Sequence, residues 1–108
     1  MTPVQLLCTL ANEFGVGVQD LRGLDRTQPL SAMRAIAMAT IRQHCGLSYP
    51  KLAKLFGRLD HTTAMSAVRR SEAYRVEYPY LASAAFKAAG VNPWSHEIMN
   101  ESLEMCAS

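Results

Sequence analysis

The chain has 108 residues, a hydrophobic fraction of 49% and only 19% charged residues. That excludes an intrinsically disordered chain and fits one domain able to bury a core without metal or disulfide staples. Its net charge of +2 is too small to announce a polyanionic partner by itself. Cys8, Cys45 and Cys106 stand at no useful spacing, so free thiols in a reducing cytoplasm are expected.

Thr2-Pro3 is a helix start, with threonine as cap and proline at the first position. Leu6, Leu7, Leu10, Ala11 and Phe14 then line one face, and Gly15 ends the helix. Val18 to Leu21 predicts a short helical turn, followed by a polar connector over 23–29. The next helix is expected from about Ser31 to Cys45, with Gly46 as its stop. Met33, Ile36, Ala37, Thr40 and Ile41 form its buried stripe, and Arg34 and Arg42 lie outside. Its alanines favour helix and permit close packing.

Ser48 to Arg70 predicts two helices joined by a short turn. Ser48 is the expected N-cap, and Pro50 is tolerated in the first turn. Leu52, Leu55 and Phe56 recur at helical spacing until Gly57 supplies a left-handed stop. Asp60 is then placed to cap a helix from His61 to about Glu77, since Pro79 cannot extend it. Helix, glycine turn and helix is the helix-turn-helix pattern, in which the start of the second helix reads the major groove. Leu81 to Ala89 is a further alanine-rich helix. Asn92-Pro93 opens a last one, with Trp94, Ile98, Met99, Leu103 and Met105 on its apolar side. Strand-like alternation is scarce, so the expected class is all-α. No apolar run approaches the ~20 residues that span a bilayer, and the N-terminus lacks a signal-peptide layout.

Charge is unevenly distributed. Arg42, Lys51, Lys54, Arg58, Arg69, Arg70 and Arg75 stand against Asp60 and Glu72, a net +5 on the helix-turn-helix. Residues 76–108 carry Lys87 against Glu77, Glu97, Glu101 and Glu104, a net −3. Positive charge therefore sits where phosphate neutralisation would require it.

On the second motif helix, Ala64, Ala67, Val68 and Ser71 share the inward side with Met65 beside them. His61, Thr62, Thr63, Ser66, Arg69 and Arg70 are left for the groove. Imidazole can donate or accept, and threonine offers a hydroxyl and a methyl suited to thymine. Asp60 can cap the helix, accept from a cytosine amino group, or both. No catalytic site, metal or cofactor is expected. Asp60-His61-Thr62 is contiguous, so its side chains diverge, unlike a triad. His44, Cys45, His61 and His96 lack zinc spacing.

Asp60-His61-Thr62-Thr63 after Phe56-Gly57, with Gly15-Val16, Val18, Asp20-Leu21, Arg34 and Ile36 to Ala39 upstream, resembles the C-terminal DNA-binding domain of the bacterial replication initiator DnaA. The similarity runs over roughly residues 10–70. It implies a helix-turn-helix domain of five to six helices, of Trp repressor or DnaA C-terminal type, over 1–77. An extra helical tail follows over 78–108. There is no room for an ATPase domain and no G-x-x-x-x-G-K-[ST] loop.

The resemblance implies base contacts from Pro50, Asp60, His61, Thr62 and Thr63, to which helical position adds Ser66. It implies phosphate contacts from Arg42, Lys51 or Lys54, Arg69 and Arg70. Ser48, Arg58 and Arg34 complete the expected rim. The family's Arg-Pro pair, whose arginine enters the minor groove, stands here as Ala32-Met33. Arg34 or Arg26 is left as a substitute. The family's basic connector is thin here, and its arginine before the Asp-His-Thr-Thr run is Leu59.

The expectation is a non-enzymatic cytoplasmic, nucleoid-associated protein that binds double-stranded DNA sequence-specifically. It would regulate transcription or modulate initiator-type boxes, with recognition weakened or altered. The alternative is an interaction adaptor that retained the fold and lost the DNA. Two readings of the 78–108 tail stand side by side: packing onto the core, or a surface for a homodimer or protein partner.

Overall fold

The computed structural model describes residues 2–23, 29–57 and 60–90. Its helices, in chain order, are α1 (Pro3–Phe14), α2 (Val18–Arg22), α3 (Leu30–Cys45), α4 (Tyr49–Leu55), α5 (His61–Glu77) and α6 (Pro79–Ala89). There is no strand among the described residues.

Local chemistry starts α1. The Thr2 Oγ1 accepts from the Gln5 N–H at 3.1 Å, and the Gln5 Oε1 accepts from the Thr2 N–H at 3.0 Å. This reciprocal pair satisfies two donors that a helix start leaves orphaned. The next face along, Leu6, Leu7, Leu10 and Ala11, is buried. The five residues of α2 add Leu21 to the same core.

Helix α3 is the axis of the domain. Every residue from Ala32 to Ile41 is buried, rather than the single stripe that periodicity predicts. The cause is position: α1, α2, α4, α5 and α6 all pack against α3. Ala32, Ala35, Ala37 and Ala39 let these neighbours approach closely on several sides. The Thr40 hydroxyl is satisfied within the helix, donating to the Ile36 carbonyl at 2.8 Å.

All-round burial corrects one expectation. Arg34 does not face outward; it is 9% exposed. Its Nε donates to the Leu21 carbonyl at 2.8 Å, and an Nη donates to the Asp20 carbonyl at 3.0 Å. These are last-turn carbonyls of α2, which find no backbone donor inside so short a helix. Arg34 is thus a structural clamp on α2, not part of a phosphate-binding rim or a minor-groove arm. Arg26, the other proposed substitute, lies outside the described residues.

Helices α4 and α5 pack on each other and on α3. Leu52, Ala53 and the fully buried Phe56 anchor α4. Gly57 follows with φ +84°, a conformation that strains any residue with a Cβ. A Cβ there would also meet the Arg22 carbonyl oxygen at 3.1 Å. Ser48 occupies the N-cap position of α4, as expected, but makes no side-chain cap bond.

Tyr78 both ends α5 and precedes α6, and Pro79 opens α6 two residues earlier than predicted. Leu81, Ala85, Ala88 and Ala89 are buried, and α6 packs against α1 and α3. Residues 78–90 therefore share the core of α1 to α5. The helix expected from Asn92, with Trp94 and Cys106, lies outside the described residues. No helix among the described residues is long and apolar enough to cross a membrane.

Candidate nucleic-acid interface

Asp60 fixes the amino end of α5. Its Oδ1 accepts from the Thr63 N–H at 2.8 Å and from the Thr63 hydroxyl at 3.2 Å. The backbone bond first, then the hydroxyl bond, holds the Asp60 carboxyl below its ordinary 3.8, because both favour the charged form. A depressed folded-state pKa stabilises the fold at pH values above 3.8 and stops doing so as pH falls through the folded value. Asp60→Asn keeps an acceptor at the cap, so its melting temperature at neutral pH should match the parent's while part of the acid limb disappears. Asp60→Ala should melt lower at neutral pH. Thermal denaturation followed by circular dichroism across the acid range reads both; an Asn variant with the parent's full acid limb would reject the assignment.

That cap positions the first turn of α5. His61, Thr62 and Thr63 are exposed there, and Ser66 one turn on is half-buried. The Thr63 proton is committed to Asp60, so Thr63 offers its methyl and lone pairs outward. His61 and Thr62 make no such local commitment in the described bonds. Ala64 and Ser71 are buried beneath, and the Ser71 hydroxyl donates to the Val68 carbonyl at 2.6 Å.

The polar rim comes from three helices. Pro50, Lys51 and Lys54 of α4, with Ser48 before it, border the motif, as do the exposed Arg69 and Arg70 on α5. Lys51 and Lys54 are exposed, as are Ser48 and Pro50 on either side of the half-buried Tyr49. Arg42 from the last turn of α3 is half-buried. Its Cζ lies 4.3 Å from the centroid of the Tyr49 ring, a cation–π contact. A hollow of about 430 Å³ opens between α3 and α5, lined by Arg42 and Gln43 on one side and by Val68, Arg69 and Glu72 on the other. Arg58 lies outside the described residues. Sequence reasoning placed the exposed residues from cap and periodicity, and weighed Tyr49 as a sugar-phosphate contact or a helix-start staple, but missed Gln43 and the stacking of Tyr49 on Arg42. The signal for Tyr49 was an aromatic one short turn after a last-turn arginine.

An exposed, capped second helix, packed on a short first helix and bordered by cations, defines a DNA-binding helix-turn-helix domain. Residues 4–70 match the family described as bacterial dnaA protein helix-turn-helix, and the chain belongs to that family.

Among similar proteins, the chromosomal replication initiator protein DnaA of Picosynechococcus sp. is 44% identical over 63 residues, 58% of this chain and 14% of that protein. Its counterpart in Cutibacterium acnes is 40% identical over 73 residues, 68% of this chain and 15% of that protein. The one in Leifsonia xyli subsp. xyli is 39% identical over 70 residues, 65% and 15% respectively. The chain therefore matches about one seventh of the length of these relatives.

Proposed function

We propose that these residues bind double-stranded DNA sequence-specifically, acting as a transcriptional regulator or a modulator of initiator-type boxes in the cytoplasmic nucleoid. The observation that carries this reading is the exposed His61-Thr62-Thr63 run at the Asp60-capped start of α5. In the groove, His61 and Thr62 meet base edges, with Thr63, Ser66, Pro50 and the outer oxygen of Asp60 beside them. Lys51, Lys54, Arg69, Arg70 and Arg42 neutralise phosphates, and Ser48 donates to one.

The test is a titration of labelled duplexes, one carrying an initiator-type box and one scrambled, at several salt concentrations. Two matched base contacts give a preference of at least about thirtyfold for the box. Four to five neutralised phosphates give a slope of log K on log salt of about −3.6 to −4.5. Equal, weak binding to both duplexes would reject the reading.

A second reading, an adaptor that binds protein instead, draws on two observations. Ala32, where the family carries its minor-groove arginine, is fully buried, and Arg34 is engaged by α2. A partner retained at high salt after nuclease treatment, with no box preference, would favour it.

A further inference from the structure

We propose that Tyr49 is a positioning residue: its ring holds the Arg42 guanidinium at the α3–α5 hollow, so that Arg42 and Arg69 together seat one backbone phosphate. The proposal rests on the DNA-binding reading and names the residue that makes one of its phosphate contacts effective.

The geometry is specific. Arg42 lies in the last turn of α3, and the chain turns at Gly46 before Tyr49 opens α4. The guanidinium carbon sits 4.3 Å from the ring centroid. The Arg42 Nε is buried, with no hydrogen-bond partner among the described residues. A long, flexible arginine on a helix end would ordinarily turn into water and satisfy that N–H. Burying it unpaired costs stability, so a group in this state calls for a reason.

The aromatic face supplies attraction that offsets part of that cost and removes side-chain freedom before binding. The terminal nitrogens keep the planar donor fork that suits a phosphate. Arg69, across the hollow on α5, provides the second cation, while Gln43 beside Arg42 adds a neutral donor. Because the hollow lies between α3 and α5, a phosphate seated there fixes the angle at which the start of α5 meets the groove.

Tyr49 also packs at the edge of the core, so truncation to alanine would confound folding with positioning. Tyr49→Leu keeps the apolar bulk and deletes the π face; Tyr49→Phe keeps the face and deletes only the hydroxyl. With box duplex, Tyr49→Leu should bind about two- to thirtyfold more weakly at moderate salt. Its salt slope should be shallower by about 0.9, the value of one phosphate. Tyr49→Phe should match the parent in both. In an Arg42→Ala background, Tyr49→Leu should change neither quantity, as a double-mutant cycle requires of a residue acting through Arg42.

A parent-like slope for Tyr49→Leu would overturn the proposal, as would an equal loss in the Arg42→Ala background or a Phe variant as weak as the Leu one. A parent chain that binds no duplex at all would instead remove the DNA-binding reading and this proposal with it. Parent binding with an unmoved Leu variant removes this proposal alone.

Discussion

The double variant His61→Ala, Thr62→Val should fold like the parent and lose its preference for one DNA sequence over another. Both side chains are exposed and the Asp60 cap bonds run to Thr63, so helix α5 keeps its start. Each matched base contact is worth about 1–3 kcal/mol of discrimination. Removing both amounts to roughly 2–6 kcal/mol, or about thirtyfold to twenty-five-thousandfold in the ratio of box to scrambled affinity. The cations are untouched, so the salt slope stays where it was. Thr63 is unsuitable for this test because its hydroxyl supports the cap. Equal weakening on both duplexes, with the preference intact, would show that the first turn of α5 is not the part that reads sequence.

Arg34→Met should be the most damaging single change outside the apolar core. Methionine replaces the aliphatic stem and deletes two charge-assisted bonds to the Asp20 and Leu21 carbonyls. Hydrogen bonds to charged groups contribute about 1.5–3 kcal/mol each, the one to the carbonyl of exposed Asp20 at the lower end. A total of about 3–5 kcal/mol is a large share of the roughly 5–15 kcal/mol typical of such a domain. At about 4–8 °C per kcal/mol, the melting temperature should drop by roughly 12–40 °C.

Arg34→Lys should recover little, since one ammonium cannot reproduce the fork across two carbonyls. The fraction still folded in the cold should bind DNA with the parent's salt slope. A variant with the parent's melting temperature and a shallower slope would return Arg34 to the phosphate rim.

His61 and Arg34 mark what the sequence discloses and what it withholds. The Thr2–Gln5 box and the Asp60–Thr63 cap are contacts three residues apart, so residue order alone locates them. The exposed cations of α4 and α5 are legible for the same reason, from helical period on two surface helices. Arg34 could not be placed that way. Periodicity assumes one buried face, whereas α3 is enclosed by neighbours distant in sequence.

Tyr49 and Arg42 meet across a turn whose path is set by tertiary packing, so their stacking is invisible to local pattern. Ser48 stands at the cap position its residue type predicts, yet its side chain makes no cap bond there. The tail offered two readings because an acidic segment, apolar on one side and carrying the tryptophan, suits a core and an interface equally well. Ala85, Ala88 and Ala89 are buried in α6, which packs against α1 and α3, and the rest of the tail lies outside the described residues.

Gly57, just after α4, leans on the end of α2, where a Cβ in place of its hydrogen would crowd the Arg22 carbonyl. Arg34 grips that same end one residue earlier, through the Leu21 oxygen. The reading head is consequently braced from behind by a five-residue helix far from it in the chain. Helices α4 and α5 are not a portable cassette: moved to another scaffold without α2 and its clamp, they would carry their chemistry but lose the aim.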